Sequence, residues 1–268
     1  MGSNLSRSAR VFWSSAVLAK KALFSWLSPS LWLMQLFTLS LFQIAFFVYV
    51  TKYVDNPDIS ITYVAVGNAL QSIAYVSVFS VSNITSEEKW QGTLTPILAT
   101  PANRFSLFIG RAMFQIFNGI LTVAIAFFYA AVIFGVDFSN TDMVSLILVV
   151  LVTSFAMTGF GLMISSLGLY LRTAMVIANI FLFIGLLLCG VNFPVSYLPS
   201  WLQPISHAIP MTYGTDAARA AVSGSSVFDI SGLLLQELAV GIVALVVGYI
   251  LFMVFENVAR RKGTMEEF

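Results

Sequence analysis

The sequence predicts an all-α membrane protein: six transmembrane helices, an N-terminal amphipathic interfacial helix, and broken re-entrant helices before the last span. Three observations predict it. The 268 residues are 59% hydrophobic and only 9% charged, with mean hydropathy +0.91, whereas about a quarter of a soluble domain is charged. A soluble chain this apolar has too little polar surface to cover itself, and a bilayer removes that need. Second, the apolar residues fall into six runs near the roughly 20 residues that cross about 30 Å of hydrocarbon. Third, the basic residues alternate in sidedness along the chain as a polytopic protein requires.

Residues 5–27 come first and are not a span. Leu5, Ala9, Phe12, Ala16, Leu23 and Leu27 recur at near-helical spacing among Arg7, Arg10, Lys20 and Lys21. Trp13 and Trp26 suit the headgroup region, so the segment reads as a helix lying along the inner leaflet. The apolar runs follow at about 30–50, 61–83, 107–134, 143–171, 174–191 and 233–255. Charges or breakers separate them: residues 52–58 with Pro57, 85–104 with Pro96 and Pro101, 135–142, and Arg172. A longer connector, 192–232, contains Pro194, Pro199, Pro204 and Pro210 and is too interrupted for a straight span.

Charge sets the expected orientation. Of 13 basic residues, all but Lys52 and Arg219 fall before the first run, in the second-to-third connector and the foot of the third run, in the fourth-to-fifth connector, or in the tail. Asp55, Asp58, Asp137, Asp142, Asp216 and Asp229 collect on the opposite side. The positive-inside rule then places both termini in the cytoplasm, with the whole chain, 1–268, one transmembrane domain.

Soluble-enzyme chemistry is poorly provided for. No Gly-Lys dipeptide exists from which to build a phosphate-binding loop, and no G-x-S-x-G is present. Cys189 is the single cysteine, which excludes an intrachain disulfide or a cysteine metal site. His207 has no cysteine or carboxylate at ligand spacing and reads as a surface or hydrogen-bonded histidine. No metal site, nucleic-acid surface or cofactor is expected in this chain. A cleavable signal is not expected either, since the first long apolar run begins near Leu31. The match of Gly2 to Ser6 to a myristoylation pattern reads as coincidence ahead of a polytopic chain. Glu237, in the last run, is either interfacial or faces a pathway.

Two segments are richer than a link between spans requires. Residues 85–104 hold Glu87-Glu88-Lys89-Trp90-Gln91-Gly92-Thr93-Leu94 and a short apolar stretch between Pro96 and Pro101. Residues 192–225 hold Phe193-Pro194, Leu198-Pro199, Trp201 and then Pro210-Met211-Thr212-Tyr213. Short helices dipping into the outer leaflet fit the second segment, because irregular backbone at that depth must line protein or water.

On these residues, with the Gly110-Arg111 pair, the chain resembles the permease subunits of type-2 ATP-binding-cassette exporters over essentially its whole length. The resemblance implies that residues 85–104 are a cytoplasmic coupling segment docking on a separate ATPase, through Glu88, Gly92, Thr93, Leu94, Leu98 and Pro101. Thr95 departs from the family pattern, where an acid often follows the leucine. The resemblance further implies that Phe193, Pro194, Leu198, Pro199, Trp201, Pro210 and Tyr213 shape an external gate. Expected partners are two ATPase subunits carrying ATP and Mg, a second permease copy in a homodimer, and membrane lipids, in a bacterial or archaeal cell (inner) membrane. Asn68, Gln71, Gln115, Asn118 and Asn179 are candidate pathway residues, although amides also bond neighbouring helices. Cargo of the drug or antibiotic kind is favoured over glycans, because the R-Y-x-x-S-like start of polysaccharide permeases is missing. Export of a lipid-linked glycan and a non-transporting scaffold or immunity protein stay open as alternatives.

Overall fold

The computed structural model describes residues 2–90, 92–93, 96, 104–167 and 174–262. Among them every regular element is helical. Helix α1 runs Gly2–Trp26 and α2 Pro29–Val54. A long rod follows, made of α3 Ile61–Ala74, a π turn Tyr75–Ser80 and α4 Val81–Trp90. Then come α5 Arg104–Val132, α6 Met143–Leu167 and α7 Ala174–Leu188. A 3₁₀ turn Val195–Tyr197, α8 Gln203–His207 and α9 Pro210–Val222 lead into α10 Val227–Lys262.

The helix starts are written in local chemistry. Ser28 accepts from the Leu31 amide with Pro29 opening α2, and Ser60 accepts from the Tyr63 amide at 3.0 Å. Asp229 ties down the entry of α10: the Ser226 amide and hydroxyl both donate to its carboxylate, at 2.9 and 2.7 Å. In the turn before α6, the Ser139 amide donates to Asp137 at 2.8 Å and holds that carboxyl below its usual range.

Packing separates core helices from lipid-facing ones. Every residue of α3 from Val64 to Ala74 is buried, which makes this span the centre of the bundle. By contrast α2 buries one stripe, Leu36, Ser40, Ile44 and Val48, and leaves Phe42 and Phe46 outward. The most extensive seam joins α6 to α10 through small residues: a Cβ on Gly241 would stand 2.6 Å from the Cα of Ala156. Outside the bundle, α1 lays Phe12 and Ser15 against α5 while Trp13, Val17 and Leu18 stay exposed beside Arg10, Lys20 and Lys21.

Among the described residues, five helices are long and apolar enough to cross a membrane: Pro29–Val54, Ile61–Ile84, Ser106–Val132, Met143–Leu167 and Val227–Phe255. Of the run expected to be the remaining span, 174–191, the described helix is α7, Ala174–Leu188. Its helix gives way because the chain turns at Gly190, whose φ of 67° belongs to the left-handed region. The expected broken segment follows, and its prolines set the breaks: Pro194 precedes the 3₁₀ turn, Pro204 lies in the first turn of α8, and Pro210 opens α9.

Candidate functional site

Two polar constructions occupy opposite ends of the α3–α4 rod. At one end α4 stops because Gly92 takes φ 66°, a conformation that costs any other L-residue strain. The Thr93 amide then reaches back to the Glu88 carbonyl at 2.9 Å, the six-to-one bond of a glycine-terminated helix. The Thr93 hydroxyl donates to the Glu88 carboxylate, and the Arg111 guanidinium of α5 forms an ion pair with that same carboxylate. Glu88 is 3% exposed. The acid expected to meet a partner is therefore consumed within the chain, where it clamps the exit of α4 to the foot of α5.

The neighbouring Gly110 shows how this end is built up. A Cβ there would stand 2.3 Å from the Phe12 carbonyl oxygen and 2.9 Å from Ser15 Cβ, so α1 seats on α5 beside the clamp only because residue 110 is glycine. The Gly110-Arg111 pair thus has two structural duties, one per residue. Glu87, one position before Glu88, faces outward. Of the remaining expected coupling residues, Leu94, Leu98 and Pro101 lie outside the described residues.

The other end is organised around the carbonyls at and just beyond the C-terminus of α7. The backbone that leaves a helix carries carbonyl oxygens without helical partners, and here the proline-broken segment takes four of them in turn. Ser206 donates to Leu188 O at 2.6 Å and Thr215 to Cys189 O at 2.9 Å. Arg219 Nη2 donates to Gly190 O at 2.7 Å and Val191 O at 3.0 Å. The same guanidinium donates to the Tyr63 carbonyl at 3.3 Å and lies 3.4 Å above the Tyr63 ring. The Tyr63 hydroxyl in turn reaches Gly190 O at 3.0 Å. Arg219, read from sequence only as a basic exception on the acid-rich side, joins α9 to α3 and to the end of α7. That isolation was the signal: a lone arginine among carboxylates invites the question of what it holds.

The expected gate residues divide in this setting. Leu198 and Pro210 are buried, Phe193, Pro194 and Tyr213 are half-buried, and Pro199 and Trp201 are exposed. Tyr213 packs its ring against His207, 5.5 Å between centroids. The Tyr197 hydroxyl donates to Asp58 at 3.1 Å, and that hydrogen bond holds the phenol proton above its ordinary range.

Of the candidate pathway amides, Asn68 and Gln71 converge on the broken segment. Asn68 donates to Asn192 at 2.8 Å and to its own helix at Val64 O, 2.9 Å. Gln71 lines a cavity of about 10 Å³ together with Ile209 and Met211. Gln115 and Asn118 pair with each other on α5 at 3.4 Å, and Asn179 donates back to Met175 O at 3.0 Å. These three are not brought together with the first two. Glu237, expected at an interface or on a pathway, is 0% exposed within the described bundle.

The ABC-2 type transporter family profile matches residues 14–223, a stretch that contains both constructions. A curated relative, the probable multidrug ABC transporter permease YbhR of Escherichia coli (strain K12), is 24% identical over 176 residues, 65% of this chain and 48% of its own length. The protein of the same description from Escherichia coli O157:H7 matches with the same figures. The chain spans about half the length of the curated relatives it matches.

Proposed function

The chain belongs to the ABC-2 type transporter family, and on that premise we propose that it is the membrane-spanning permease subunit of an ATP-driven export complex. It forms half of a translocation pathway, completed by a second copy in a homodimer. Two separate ATPase subunits bind ATP and Mg. The clamp end faces the cytoplasm with both termini, in a bacterial or archaeal inner membrane, and the broken segment forms the external lid. On this reading α7 and the broken segment together complete the sixth crossing. The cargo is a small amphipathic or hydrophobic molecule of the drug or antibiotic kind, which the multidrug permeases named above support.

The family match over residues 14–223 carries the reading. The clamp supports the coupling reading: Glu88, Gly92, Thr93 and Arg111 fix the end of α4, next in sequence to Leu94, Leu98 and Pro101. Because Glu88 is spent internally, it shapes the coupling segment, while Leu94, Leu98 and Pro101 are the positions that meet the ATPase. A test is the Gly92→Arg variant, co-expressed with the cognate ATPase. It should reach the membrane folded yet lose most of the permease-dependent stimulation of ATP hydrolysis. Stimulation equal to that of the unaltered chain would refute the coupling assignment.

A further inference from the structure

Glu237 of α10 is fully buried, and its carboxyl meets α9 and α6 at once. A Cβ on Gly214 of α9 would stand 2.4 Å from Glu237 Oε1 and 2.6 Å from Thr153 Oγ1 of α6. Only glycine at 214 lets α9 lie directly on the carboxyl. Neither carboxyl oxygen has an aligned hydrogen-bond partner, and neither has the Thr153 hydroxyl beside them. The charges on every element packed here are accounted for. Helix α6 has no ionisable residue from Met143 to Leu167. On α9, Asp216 is exposed and Arg219 is committed to Tyr63, Gly190 and Val191. On α10 itself, Asp229 caps Ser226 more than two turns away, and Glu256, Arg260, Arg261 and Lys262 follow more than five turns further along. Among the described residues no cation forms an ion pair with Glu237.

An ionised carboxylate sealed among helices without a cation is strongly disfavoured, and such a group takes up a proton instead. We propose that Glu237, backed by Thr153 and covered by Gly214, is a proton-binding site that links protonation to the seating of α9. While α9 is seated, one carboxyl oxygen carries the proton. When α9 lifts and water enters, the O–H bond breaks, the proton passes to water, and the electron pair stays on oxygen. No oxidation or reduction is involved. Linkage is reciprocal: if seating α9 favours the proton, binding the proton favours seated α9 by the same factor. Low pH holds α9 down and high pH loosens it. The inference rests on the packing of this chain and is independent of the permease reading.

The test uses the full chain alone, in nanodiscs of phosphatidylethanolamine and phosphatidylglycerol. Infrared spectra at neutral pH should show a protonated-carboxyl stretch that disappears in Glu237→Gln and shifts in frequency in Thr153→Val. Hydrogen exchange of the α9 amides, corrected for intrinsic rate, should be several-fold faster at pH 9 than at pH 6, and independent of pH in Glu237→Gln. Should Glu237→Gln fail to fold, the Thr153→Val frequency shift and the wild-type pH dependence decide the matter. The absence of a protonated-carboxyl band at neutral pH, or a band unmoved by both substitutions, overturns the proposal. So does α9 exchange without pH dependence in the unaltered chain.

Discussion

Arg219 concentrates more of the fold in one side chain than any residue outside the apolar core. Its planar fork reaches Gly190 O, Val191 O and Tyr63 O while its face covers the Tyr63 ring. A lysine keeps the charge but is a point donor, unable to span those three carbonyls or stack in the same way. Hydrogen bonds to a charged group contribute about 1.5–3 kcal/mol each, and an orphaned buried carbonyl costs a comparable amount. Arg219→Lys should therefore lower stability by about 2 kcal/mol, read as a reduced unfolding midpoint in detergent with retained helicity. An unchanged midpoint would mean that α9 is held by apolar packing alone. At this scale the sequence was legible by residue type and silent on partners. Glu88 stood out from its place before Gly92-Thr93, yet its burial depended on Arg111, 23 positions later. Asn68 stood out as an amide in a span, and its bond to Asn192 depended on how the chain folds back after α7.

Among the elements, α1 and α7 separate what pattern reveals from what it hides. The α1 spacing of apolar and basic residues gave the helix directly, and the structure shows its inner face on α5 with Gly110 at the crossing. Gly110→Leu forces a side chain into the Phe12 carbonyl, and overpacking of this kind costs about 1–3 kcal/mol. The expected outcome is that α1 lifts from α5 and trypsin cuts faster at Arg10, Lys20 or Lys21, with the spans intact. Cleavage at the unaltered rate would show that α1 tolerates the wider crossing. The start of α2 was legible within a residue or two because Ser28-Pro29 writes it locally. For α7 hydropathy misled in a specific way. Cys189 and Val191 continue the apolar run and are buried as a run suggests. Their backbone nonetheless leaves the helix at 188, since buried irregular carbonyls are tolerated where Ser206, Thr215 and Arg219 take them up. Those donors lie up to 29 residues away in sequence.

The whole molecule is a bundle whose central rod, residues 61–90, connects the two constructions. At 1.5 Å per residue the rod is about 45 Å long. Tyr63 and Asn68 hold its one end to the proline-broken segment, and Glu88 holds the other to Arg111 and Thr93. The π turn Tyr75–Ser80 interrupts its middle, a feature often found at functional positions in helices. On the proposed function, one end docks the ATPase, the far end closes the exit, and the buried rod joins them. The most direct measurement is ATP-dependent efflux of an amphipathic fluorescent dye from proteoliposomes containing this chain with its cognate ATPase. Dye movement that requires both proteins and ATP is the predicted result. ATP hydrolysis by the chain alone, or dye movement that neither ATP nor the ATPase alters, would contradict the account.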